Sequence, residues 1–236
     1  MKLLAFETST EACSVALHVD GQVLERFEVA PRRHAELSLP WAEQLLAEAG
    51  LARRQLDGIA LGRGPGAFTG VRLAIAIAQG IALALDRPLL PVSTLQALAL
   101  RAPAGEVDVL AAIDARMGEV YVARYRFAGG LPVACDAERV CAPEAVTVPE
   151  GDVVYGVGTG FAAAGGVLVA RLGGALRGQD AAALPRASDV LALALPALAR
   201  GEGVAPELVE PAYLRDNVAL TLVEQQALRA AKQQGG

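Results

Sequence analysis

The chain has 236 residues, 53% of them hydrophobic and 20% charged, with a formal charge of −5 and a mean hydropathy of +0.38. This bounds it to one or two domains with ample core material and excludes a disordered or low-complexity chain. A lone nucleic-acid binder usually carries a basic footprint, which neither half shows, so any contact with nucleic acid is expected to need help. Cys13, Cys135 and Cys141 form no Cys-x-x-Cys pair, which suits a reducing cytosol and gives no zinc pattern.

Residues 3–7 read as a first strand, and the early Glu7 argues against a signal peptide. Thr8-Ser9-Thr10-Glu11 is a polar turn, 13–19 a second strand, Asp20-Gly21 a hairpin signal and 22–29 a third strand. Arg32-Arg33-His34 leads into a helix of about four turns closed by Gly50. Leu37, Trp41 and Leu45 recur on it every fourth residue, and Pro40 is expected to kink it or mark a late start. A strand at 57–61 runs into Gly62-Arg63-Gly64-Pro65-Gly66, and Thr69 is the expected N-cap of a helix over 70–85.

That helix is the most telling stretch of the chain, because only Arg72 and Gln79 are polar in it. A surface helix normally shows a wide polar face, so this one is expected to be covered nearly all round. Ala74, Ile77, Ala78, Ile81 and Leu85 fall on one side and are assigned to its own sheet. Arg72, Ile75, Ala76, Gln79 and Leu83 fall on the other and, with Leu37, Trp41 and Leu45, are assigned to a partner interface. The segment reads as too short to span a bilayer and ends in Asp86-Arg87-Pro88, so no membrane association is expected.

A strand at 89–92 and the capping box Ser93-Thr94-Leu95-Gln96, opening a helix to about Pro103, complete a βββαβαβα run. A similar order then restarts. Residues 109–114 read as a strand, 115–118 as a turn and 119–125 as a second strand, with Gly129-Gly130 turning into a third. A strand at 153–155 precedes Gly156-Val157-Gly158-Thr159-Gly160, and Ser188 is expected to cap an apolar helix ending at Gly201. Residues 204–210 read as a linker, 211–215 as a short ordered segment, and the tail from Thr221 as a polar helix that frays. The outline is a duplication into two lobes, 1–103 and a smaller 104–236 that includes the C-terminal helix, without a residue-level repeat.

Two such units, each with a polar turn after its first strand, resemble the actin-like α/β fold of acetate and sugar kinases, Hsc70 and actin, in which the first turn approaches nucleotide phosphate. A closer resemblance, to the bacterial TsaB (YeaZ) family, rests on Glu7-Thr8-Ser9-Thr10-Glu11-Ala12-Cys13-Ser14-Val15-Ala16-Leu17, Gly62-Arg63-Gly64-Pro65-Gly66-Ala67-Phe68-Thr69-Gly70-Val71-Arg72, Ile113-Asp114-Ala115-Arg116-Met117-Gly118-Glu119-Val120-Tyr121 and Pro211-Ala212-Tyr213-Leu214-Arg215. These pieces span nearly the whole chain in the family's order. The resemblance implies a cytoplasmic scaffold and activator of threonylcarbamoyl transfer to adenosine in tRNA. Such a subunit contributes no catalytic residue, pairs with itself and with the catalytic subunit TsaD, is joined by the ATPase TsaE, and meets tRNA only through the complex. It implies no cofactor on the isolated chain, with a nucleotide possible at the complex interface.

Other readings compete with these motifs. Thr8-Ser9-Thr10 either binds phosphate through hydroxyls and backbone N–H groups or is a plain polar turn; the resemblance makes Glu7, Thr8, Ser9 and Thr10 a relic of the phosphate loop. Related kinases usually carry Asp where Glu7 stands, which speaks against an autonomous kinase or ATPase. Neither glycine loop is a Walker A motif or a good dinucleotide fingerprint. A metallopeptidase needs more than His34, since TsaD's His-x-x-x-His pair is matched here by His34 and Ser38, and the only other histidine is His18. Cys13 reads as a small core residue, and Asp114, Arg116 and Glu119 as an ion-pair and turn network.

Overall fold

A computed structural model describes residues 1–215, and the helix expected from Thr221 lies outside them. β1 (Lys2–Glu7), β2 (Ala12–Val19) and β3 (Gln22–Val29) form an antiparallel meander. After α1 (His34–Glu48) come β4 (Gly58–Gly62), α2 (Phe68–Leu85) and β5 (Leu89–Val92), with β4 parallel to β1 and β5 parallel to β4. The sheet order is β3-β2-β1-β4-β5.

A short α3 (Thr94–Ala99) leads to the second sheet, built from β6 (Asp108–Arg116), β7 (Glu119–Ala128), β8 (Leu131–Ala134), β9 (Arg139–Cys141), β10 (Val154–Val157) and, after α4 (Val167–Leu172), β11 (Leu176–Asp180). Its order is β11-β10-β6-β7-β8, with β9 also on β7. Read from β8, it repeats the order of the first sheet, with the same antiparallel pairs followed by parallel ones. The duplication therefore lies in topology, where no residue repeat shows it.

The first strand of each sheet is buried on both faces, which is why it reads as an unbroken apolar run. Leu4 and Phe6 of β1 enter the cluster under α1 and α2, while Leu3 and Ala5 enter the opposite one. On β6, Leu110 and Ala112 face one cluster and Val109, Ala111 and Ile113 the other. The chain changes sheets near residue 103 as expected, but the division into 1–103 and 104–236 needs correction. Helix α5 (Ala187–Ala199) returns to the first sheet, where Ala187, Val190, Leu191 and Ala194 pack with Leu3, Ala5, Ala16 and Leu90. Leu95, Leu98 and Ala99 of α3 pack instead with Val109, Ala111 and Tyr125 of the second sheet. Each sheet is thus covered by a helix from the other half of the chain.

Two capping expectations also change. Helix α2 starts at Phe68 with no side-chain cap, and Thr69 is exposed. Its entry is fixed instead by the Ala67 N–H donating to the Ser9 carbonyl at 2.7 Å. Ser188 lies inside α5, whose first N–H groups reach other acceptors: Ala187 donates to Ser14 Oγ at 2.9 Å, Ser188 to Glu25 Oε1 at 2.9 Å and Arg186 to Asp189 Oδ2 at 3.0 Å. Ser93 does cap α3, accepting from Gln96 N–H at 3.1 Å, but the Gln96 amide bonds Pro132 across the lobes rather than closing the box. Gly50 closes α1 with φ of +61°, and Pro40 lies inside that helix.

Candidate functional site

The turn after β1 is the first candidate. It is buried: Glu7 is 1% exposed, Thr8 and Ser9 0%, and Thr10 6%. Its polar groups are spent internally. Thr8 Oγ1 donates to Gly70 O at 2.7 Å, Glu7 Oε1 accepts from Ser9 N–H at 2.7 Å, and Thr94 Oγ1 donates to Ser9 Oγ at 3.0 Å and lies 3.4 Å from Glu7 Oε2. The glycine-rich loop is the seal. A Cβ at Gly62 would overlap the Glu7 carboxylate, one at Gly66 the Ser9 carbonyl, and one at Gly70 the Thr8 carbonyl. Only glycine allows the two segments to close on each other.

Burial pushes the Glu7 carboxyl above its ordinary range, against the lowering effect of its bonds to Ser9 and Thr94. These residues do not fit a phosphate, because the Thr8 and Ser9 hydroxyls and the Ser9 N–H are already bonded and the loop and helix start around Gly66 and Gly70 lie against the turn. His34 closes the other side, its Nε2–H lying 3.0 Å from Thr10 O and 3.2 Å from Ala12 O. Among the described residues, no three His, Cys, Asp or Glu side chains converge as a metal site.

The second candidate is the outer face of α2. Its inner row is built into the lobe, with Ala74, Ala78 and Ala82 at 0% exposure and Ile77, Ile81 and Leu85 packed beside them, as the sequence implied. At 18 residues the helix is long and apolar enough to cross a bilayer, contrary to the reading that it is too short. That inner row nevertheless makes it a wall of the first lobe.

The predicted interface set needs correction. Leu45 and Ile75 belong to the core with Leu17 and Ile59, Leu37 packs with Cys13 and Ala30, and Trp41 is half-buried between the two clusters. The fourth-residue row of α1 is apolar because it fills the space over β2. Gln79 is also taken: its amide donates to Pro206 O at 2.8 Å and Val209 O at 3.3 Å, fastening a strap, residues 204–215, to α2. Arg72 lies over the Phe68 ring at 3.2 Å and the Tyr213 ring at 4.9 Å, and donates to the Tyr213 hydroxyl. Ala76, Gly80, Leu83 and Ala84 remain exposed, with Phe68 at 65% and Leu83 at 64%, and a Cβ at Gly80 would meet nothing within 4 Å.

The strap was legible only as a linker and a short ordered segment. From Val204, paired with Leu89, it crosses α2 and passes Arg63, whose carbonyl accepts from Ala212 N–H at 2.9 Å. It ends on the second lobe, where Arg215 donates to Glu119 and to Ala115 O at 3.2 Å. Asp114 and Arg116 pair at 3.2 Å, while Glu119 pairs with Arg215 instead, so the expected network divides into two pairs and Arg215 is the member that sequence reasoning missed.

Two sheets of one strand order that exchange their covering helices define a duplicated α/β protein of the actin-like class, here with its first turn sealed. A family model described as tRNA N6-adenosine threonylcarbamoyltransferase matches residues 27–222. The chain is 44% identical to the tRNA threonylcarbamoyladenosine biosynthesis protein TsaB of Escherichia coli K12, over 93% of this chain and 96% of that protein. It is 40% identical to the protein of the same name from Haemophilus influenzae, over 92% and 95%. YeaZ from Pseudomonas aeruginosa superposes with a TM-score of 0.84 at 50% identity, covering 90% of this chain and 99% of that one. A second P. aeruginosa structure, described as similar to peptidase YeaZ, gives a TM-score of 0.85 at 49% identity, over 91% and 99%. The chain belongs to the TsaB family.

Proposed function

We propose that the chain serves tRNA threonylcarbamoyladenosine biosynthesis as a cytoplasmic, non-catalytic subunit that holds and activates TsaD, with TsaE joining the complex and tRNA met through it. The observation that carries this reading is the exposed outer seam of α2. Half-buried Leu73 and the exposed Ala76, Gly80 and Leu83 succeed one another at steps of three and four, the spacing of a helix-pairing seam, with small residues at its middle. A flat apolar strip of this kind suits another helix at close approach. The same strip would pair two copies of this chain about a twofold axis when TsaD is absent. The sealed turn supports a subunit without nucleotide chemistry of its own; a nucleotide used by the assembly would be held at a surface shared with the partner.

The test is Ala76→Arg, which places a long cation in the middle of the seam. The variant is expected to keep the wild-type unfolding midpoint and to lose both self-association and TsaD binding in sedimentation experiments. Threonylcarbamoyl transfer reconstituted with TsaD and TsaE should fall at least tenfold, equivalent to about 1.4 kcal/mol. Wild-type pairing and transfer by the folded variant would overturn the assignment.

A further inference from the structure

Where the two lobes meet lies an open cleft of about 560 Å³ to which both lobes and the strap contribute. Arg63 enters it from the loop after β4, Ser93 from the start of α3, Tyr125 from β7, Glu138 from the connection before β9, and Leu214 from the strap. Its polar floor is half satisfied. Glu138 Oε1 accepts from the Ser93 hydroxyl and lies 3.4 Å from the Tyr125 hydroxyl. Glu138 Oε2 has the Arg63 Nη2 at 3.7 Å, beyond hydrogen-bond reach.

Arg63 itself is firmly placed. Its N–H donates to Val92 O at 2.8 Å and its carbonyl accepts from the strap, yet its guanidinium makes no hydrogen bond among the described residues. The neighbouring Asp136 is engaged, accepting from Arg124 N–H at 2.9 Å and lying 3.6 Å from Arg139. Two opposite charges therefore face the same space with unused hydrogen-bonding capacity.

A bare anion brought to Arg63 would lie against Glu138, and a bare cation brought to Glu138 would lie against Arg63. A polyphosphate would set several negative charges beside that carboxylate with one arginine to answer them. A ligand carrying a carboxylate and an ammonium group on one carbon satisfies both charges at once, and their spacing suits neighbours 3.7 Å apart. We propose that the cleft binds a small zwitterion, an α-amino acid, with its carboxylate on Arg63 and its ammonium group on Glu138 Oε2. The ligand's side chain then lies toward Ala134, Ala137 and Leu214. Because the site joins β4, β9 and the strap, occupancy ties the lobes together and fixes the strap over α2.

Calorimetric titration of the full chain with glycine, L-alanine and L-leucine tests this, with acetate, methylammonium and ATP as comparison probes. The amino acids are expected to bind, while acetate and methylammonium do not at equal concentration. Arg63→Ala and Glu138→Gln should each weaken the amino acids by about 10- to 100-fold, the worth of one charge-assisted bond, at an unchanged melting midpoint. If Arg63→Ala does not fold, Arg63→Lys keeps the charge and is expected to bind with intermediate affinity. Absence of amino-acid binding up to about 10 mM (a free energy near 3 kcal/mol), undiminished binding by the folded variants, or binding of ATP in preference to the amino acids would each overturn the proposal. None of these results depends on whether α2 pairs with TsaD.

Discussion

The turn after β1 and the turn after β6 hold the same place in two sheets of the same strand order, and they have diverged into opposites. The first sets the buried hydroxyls of Thr8, Ser9 and Thr10 beside the Glu7 carboxylate that ends β1, with Thr8 bonded to Gly70. The second is a tight hairpin that projects, with Met117 87% exposed. Both lobes keep glycine where the loop after the fourth strand meets the first strand: Gly62, Gly66 and Gly70 in one, and Gly158 and Gly160 against Ala112 in the other. What the duplication preserved is the close backbone approach. What it changed is whether the turn lies under that loop or stands clear of it.

The comparison predicts a steep contrast in tolerance. Gly70→Ala drives a Cβ into the Thr8 carbonyl, and backbone cannot swing aside as a side chain can. Denaturant unfolding should show a loss of about 3–5 kcal/mol or no folded product. Gly118→Ala in the second turn meets open space and has only its φ of +80° to overcome, so about 1–2 kcal/mol is expected. Similar losses at the two positions would show that the first turn is not sealed.

An intermediate effect is expected from Glu7→Gln. Burial raises the Glu7 carboxyl, so the folded state holds its proton more tightly than the unfolded chain does. Stability should therefore fall as pH rises from the ordinary value of 4.5 to the raised one, and stay lower above it. The amide still accepts from Ser9 N–H, so the variant should lose this slope while staying folded. The change is worth about 1–3 kcal/mol, the range for an incompletely satisfied buried polar group. Equal slopes in unfolding series of both proteins would exclude a raised Glu7.

The smallest effect lies in the exposed turn. Met117 and Gly118, the two residues between Arg116 and its strand partner Glu119, carry φ of +56° and +80°, a left-handed pair that favours Asn or Gly in a two-residue hairpin. Met117→Gly should stabilise the chain by about 1 kcal/mol, since the side chain makes little use of its position beyond the Arg215 contact at 3.6 Å. A destabilised Met117→Gly would mean that this contact outweighs the backbone strain.

The sequence by itself determined most of the elements. Continuous apolar runs give the buried strands, and Asp20-Gly21 and Gly50 the turn and the helix end, whereas the near absence of polar residues in α2 implied a helix covered all round and its outer row stands exposed. It also marked Glu7 to Thr10 and the glycine loop as belonging to the first lobe's special place, though not that one closes the other. Only the tertiary structure decided what covers each apolar surface. A period of four at Leu37, Trp41 and Leu45 reports that these side chains leave water, and it is silent on whether a sheet of the same chain or another molecule receives them. Gln79 and Tyr213 are likewise ordinary polar and aromatic positions until the strap, from more than a hundred residues away, brings the Pro206 carbonyl to Gln79 and the Tyr213 ring to Arg72 on α2. The exchange of α3 and α5 between the sheets has the same origin: local pattern fixes an amphipathic face, while its destination follows from which neighbour the chain can reach and pack.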